Sequence, residues 1–133
     1  VPTVLIKIIE LFGKRVTLEQ DLTNSEVIKR LCASEYFVVL SDYEGFCMAA
    51  NEAVQAGCFV IYRDVGEIKN YVLSEQSFKV LELEDLYNQF DAVLAKRDAI
   101  DTTKVEAARA KLRSDFTATY SSRFIELMES RIG

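Results

Sequence analysis

Glu44 and Glu52 stand with seven residues between them in the segment SDYEGFCMAANEAVQAGCFVIYRDVG. A carboxylate offers two acceptor oxygens, so two of them at a fixed separation can grip two hydroxyl-bearing parts of one ligand. Residues 41–45 form an expected turn, and residues 46–56 an expected helix of small side chains. Glu44 lies just before that helix. Glu52 lies about six residues into it, about 9 Å further along at about 1.5 Å per residue. That separation suits a diphosphate near Glu44 and the ribose diol of the same nucleotide near Glu52. The free N–H groups near Phe46, Cys47 and Met48, together with the helix dipole, favour a phosphate. Gly45 removes a side chain where such a ligand approaches. Blander readings are a solvated helix residue for Glu52 and a carboxylate that merely complements the dipole for Glu44.

The elements around this segment alternate. Residues 36–40, a continuous apolar YFVVL run, and residues 58–62 are expected strands of the kind buried on both faces of a parallel sheet. Residues 78–81 are a third and residues 15–18 a short additional strand. Residues 22–33 are an expected helix opened by Thr23 and Glu26 as a capping box, with Leu22 and Val27 as a hydrophobic staple. Residues 4–12 are ambiguous: β-branched content favours a strand, whereas Thr3 and Gly13 suit a helix start and stop. Gly57 ends the small-residue helix. Residues 64–72 are a polar loop with room for a short helix. Beyond residue 81 the pattern is helical. Leu83, Leu86, Tyr87, Phe90, Val93 and Leu94 form an apolar stripe over residues 82–97. Thr103 and Glu106 suggest a second capping box, with Val105, Ala108 and Leu112 inward, and Phe124, Leu127 and Met128 mark a last helix. The fold class is therefore α/β, a Rossmann-like parallel sheet flanked by helices in a single domain.

Composition excludes several functions. With 133 residues, half of them hydrophobic, the chain can bury a core. A formal charge of −5 argues against a general nucleic-acid binder. No apolar run reaches the roughly 18 residues of a membrane span. There is no histidine, which removes Ser-His and Cys-His catalysis. The three cysteines, Cys32, Cys47 and Cys58, lie in apolar segments without CxxC spacing, so they are expected to be small buried thiols rather than zinc ligands. No GxGxxG fingerprint is present, which counts against a Rossmann oxidoreductase.

Ser-x-x-Glu-Gly-Phe, then Glu-Ala-x-x-x-Gly, then an apolar strand resembles the Glu-x7-Glu region of retaining GT-B-fold glycosyltransferases (group 1, family 4 type). The resemblance implies that Glu44 lies against the donor sugar and is the catalytic candidate. It implies that Gly45, Phe46 and Cys47 offer backbone N–H groups to sugar and diphosphate, and that Glu52 binds the ribose. It implies a nucleotide-sugar donor as substrate, retention of configuration, no metal and no other cofactor. The helix-strand-helix-strand order from residue 4 to Leu40 is similar to the family's, which favours a helix over residues 4–12. Asp64-Val65-Gly66 is similar to the loop after the next strand, and residues 116–128 to the closing helices.

The pattern also departs from the family. Glu67 and Asn70 stand where that loop usually has a glycine and a glutamate, and Cys47 where a glycine is common. The arginine and lysine that follow the family domain's first strand and neutralise the diphosphate have no counterpart; Lys14-Arg15 precedes a strand and reads as a solvated turn. Residues 1–133 are thus expected to be one partial C-terminal GT-B domain lacking its first strands, inactive alone because a phosphoryl leaving group needs charge stabilisation. A missing N-terminal half or another chain would cover the open sheet edge. A cytoplasmic location is expected, and the resemblance allows peripheral membrane association of the full enzyme. The alternative is a non-catalytic nucleotide-binding or assembly module derived from the same fold.

Overall fold

The computed structural model describes residues 10–13, 24–39 and 48–115. Its three strands, β1 (Tyr36–Val39), β2 (Phe59–Arg63) and β3 (Ser77–Val80), form one parallel sheet in that order. Tyr36 stands opposite Phe59 and Val39 opposite Tyr62; Val60 stands opposite Ser77 and Arg63 opposite Val80. Helix α1 (Asn24–Ala33) precedes β1, and α2 (Met48–Ala56) crosses from β1 to β2. From β2 to β3 the chain uses only two 3-10 turns, Ile68–Tyr71 and Ser74–Gln76. Then follow α3 (Leu83–Asn88), α4 (Phe90–Asp98) and α5 (Thr102–Asp115).

Alternation along β2 divides the core. Val60 enters one face with Cys58, just before β2, and with Ala50, Ala53, Val54, Ile68 and Leu112, which come from α2, the first 3-10 turn and α5. Phe59 and Ile61 enter the other with Val80, Leu86 and Val93, beneath α3 and α4. Around Phe59 the second face is aromatic: Tyr36 meets it edge-on with centroids 6.0 Å apart, and Phe12 packs between Tyr36, tilted at 5.3 Å, and Phe90, edge-on at 5.1 Å. Both faces are covered, as a parallel sheet with a near-continuous apolar central strand requires. The α/β, Rossmann-like reading therefore holds, and each described strand lies within a residue or two of its expected bounds.

Two local expectations need correction. Residues 82–97 are two helices, not one: Gln89, with φ −114° and ψ 16°, breaks the run although its N–H still reaches Asp85 O at 2.9 Å. The cap of α5 is Asp101 rather than Thr103, because Asp101 Oδ1 accepts from the N–H groups of Thr103 and Lys104 at 3.0 and 3.3 Å. Glu106, free of a capping role, instead accepts from Arg109 Nη1 at 2.8 Å. The start of α3 is tied down by Asp85 Oδ2, which accepts from the N–H groups of Leu81 and Glu82 at 2.9 Å each. Residues 10–12 are helical and Gly13 follows with φ 64°, which agrees with the helical reading of residues 4–12 where they are described. The expected strand at residues 15–18, the Thr23 cap and the last helix near Phe124 lie outside the described residues.

Cys58 is buried and its thiol donates to Leu31 O at 3.1 Å. Burial, with the nearby Cys32 thiol adding to it and the Arg109 charge opposing it, pushes its pKa up to about 11. A thiol so held stays protonated and behaves as a core side chain. Cys32 is half-buried and also free, and Cys47 lies outside the described residues. Among the described residues no helix is long and apolar enough to cross a membrane.

Gly57 stops α2 as the sequence suggests. It adopts φ 97°, its N–H donates to Val54 O at 3.1 Å, and the N–H of Cys58 donates to Ala53 O at 2.9 Å. Those two bonds close a Schellman motif. An added Cβ would meet nothing within 4 Å, so a substitution here costs backbone strain alone. Gly57→Ala is expected to lower stability by about 1–2 kcal/mol, read as a lower urea midpoint with an unchanged slope.

Candidate functional site

Helix α2 is the element on which the candidate site is built. Its sequence, MAANEAVQA, is rich in alanine, the strongest helix former, and small enough to lie close against the sheet. Ala50, Asn51, Ala53, Val54 and Gln55 are buried. Of residues 49–56 only Ala49, Glu52 and Ala56 escape full burial. These three share one face, since residues three and four apart on a helix are neighbours. Glu52 is thus flanked by alanines on both sides along the open stripe.

The environment of Glu52 is unusual for a surface acid. It is half-buried, and burial raises its pKa above the ordinary carboxylate value. Among the described residues no hydrogen bond or ion pair engages it. A carboxylate that has lost water without gaining a donor is costly. It gains most from a ligand that brings hydroxyl groups. The first described turn of α2 contains no acidic residue, and the positive end of a helix dipole favours an anion. Glu52 lies four residues past Met48, about 6 Å along the axis. Anion and hydroxyl preferences therefore sit in sequence along one short helix that begins beyond the carboxyl end of β1, the usual ligand position in an open parallel sheet.

Glu44, Gly45, Phe46 and Cys47, with Asp42 and Tyr43, lie outside the described residues. Glu52 is the one expected site residue that the structure places. At the carboxyl end of β2, Arg63 Nε donates to Leu81 O at 2.9 Å, tying the ends of β2 and β3 together. Asp64 stands 4.0 Å from Lys79, an exposed pairing of little energetic weight. Among the described residues no group of three or more potential ligands is arranged to hold a metal.

What sequence reasoning missed is the anchor at the far end of α2. Gln76, 1% exposed, donates through Nε2 to Val54 O at 3.0 Å and to Cys58 O at 2.6 Å. Its Oε1 accepts from Arg109 Nε at 2.8 Å. Gln55, also buried, donates to Arg109 O at 3.0 Å. A lone glutamine before a strand carries no local signal of such a role, because its partners are 18, 22 and 33 residues away.

Searches of curated proteins and of solved structures find no match. A family model described as "Glycosyl transferases group 1" does match, over residues 6–109. The matched span includes the whole sheet, α1 to α4, Glu52, Gln76 and Arg109. With most of its length covered, the chain belongs to the glycosyl transferases group 1 family.

Proposed function

We propose that this chain is the donor-binding part of a glycosyltransferase that moves a sugar from a nucleotide-sugar to an acceptor with retention of configuration. The observation that carries the reading is Glu52: a half-buried acid without a described partner, on an alanine-lined stripe of the helix that follows β1. In this reading the Glu52 carboxylate accepts from the ribose hydroxyls. The N–H groups of Phe46 and Cys47, with the positive end of α2, face the diphosphate. Gly45 leaves room for the ligand, and Glu44 lies against the donor sugar, where charge develops as the bond to the diphosphate breaks. No metal is required by this scheme. The pairing of Glu44 with Glu52 follows the Glu-x7-Glu pattern.

Titration of the chain with UDP, GDP and ADP tests the proposal. Saturable binding of one of them, competed by the matching nucleotide-sugar, is the expected result. Binding of none would leave a module that kept the fold without the ligand.

A further inference from the structure

The alanines that let α2 lie close to its neighbours also leave it short of interlocking side chains. Helices fix their relative register by packing ridges into grooves. On the described buried face of α2 only Val54 offers a branched apolar side chain; Ala50 and Ala53 present shallow surfaces that permit sliding. The hydrogen bonds behind Glu52 supply what the packing lacks. Gln76 holds Val54 O and Cys58 O, Gln55 holds Arg109 O, and Arg109 closes the loop on Gln76 while bonding Glu106. The grip starts two residues past Glu52. Only an amide suits the position: its NH2 group serves two carbonyls while its oxygen accepts from the guanidinium, whereas a carboxylate would face two carbonyls without a donor.

We propose that Gln76, supported by Arg109, is a positioning residue that sets the axial register of α2 and thereby places Glu52 and the helix start for the nucleotide. This rests on the reading of α2 as the donor-binding helix. A site held loosely by about 1 Å loses much of its affinity, so the pin acts on binding as well as on stability.

The test uses Gln76→Met, which keeps the length and removes all three hydrogen bonds. Val93→Ala, in the core on the opposite face of the sheet, serves as a destabilised control. Affinity for UDP, GDP and ADP is measured below the onset of unfolding, as monitored by circular dichroism. Gln76→Met is expected to weaken the binding nucleotide by about tenfold or more, and Val93→Ala to leave affinity unchanged. In a Glu52→Ala background Gln76→Met should add a smaller loss than in the wild type, because only the helix start remains for it to place. Folded Gln76→Met that binds like the wild type, while Glu52→Ala is weakened, overturns the positioning role and leaves the donor-site reading intact. Failure of the wild type to bind any of the three overturns both. Should Gln76→Met not fold, Arg109→Lys removes one bond of the loop; a smaller loss of affinity supports the proposal and unchanged affinity overturns it.

Discussion

Glu52→Gln is expected to weaken nucleotide binding and, at neutral pH, to stabilise the fold. The first effect follows from loss of charge on the acceptor. Hydrogen bonds to ionised groups contribute about 1.5–3 kcal/mol, so replacing the carboxylate by a neutral amide should cost about tenfold or more in affinity. The second follows from the raised pKa of Glu52 in the folded state. Between the ordinary carboxylate value and that raised one, the folded chain binds more protons than the unfolded chain. Stability contributed by this group therefore falls as pH rises through that window, and the deficit persists above it. Glutamine does not titrate. The variant should match the wild type below the window and exceed it above, so the two melting temperatures diverge as pH rises. Opposite signs for binding and stability are what a residue kept for a ligand produces. A solvated glutamate would give neither effect.

Phe59→Ala is expected to cost about 3–5 kcal/mol, against the roughly 5–15 kcal/mol that holds a typical domain together. Phe59 is buried at the centre of the sheet, packed with Ile61, Val80, Leu86 and Val93 and edge-on to Tyr36. Its main-chain N–H also donates to Glu35 O at 2.8 Å, at the start of the β1–β2 pairing. Removing the ring leaves a cavity beneath α3 and α4 that their aromatic neighbours, already in contact with one another, fill only in part. A large drop in the urea midpoint is the readout. A loss under about 1 kcal/mol would mean that this face of the sheet is loosely packed.

How much of this was legible in advance depended on how local each cause is. The strands were legible because YFVV and FVIYR are apolar, β-branched and aromatic runs of strand length, and a buried parallel strand needs nothing else. The stop at Gly57 was legible because a glycine after a run of helix formers is itself the cause of the stop. The break at Gln89 was not, because the apolar stripe keeps its helical spacing across it. At the start of α5 two cap-forming residues stand close together, and only geometry distinguishes Asp101, which bonds the next N–H groups, from Thr103, which supplies one of them. The Glu52 position was legible from its spacing after β1. The anchor formed by Gln76, Gln55 and Arg109 was not, since it joins segments that only the fold brings together. A polar residue buried by distant partners looks, in sequence, like any surface amide.

Whether Glu52 receives the ribose of a bound nucleotide is decided by a comparison of sugars. The nucleoside diphosphate that binds best is titrated alongside its 2′-deoxy counterpart, against the wild type and against Glu52→Ala. The wild type is expected to bind the deoxy form about tenfold or more weaker, and Glu52→Ala to bind both forms equally and weakly. Equal affinity of the wild type for both forms, or the same preference surviving in Glu52→Ala, would contradict that placement of the ribose.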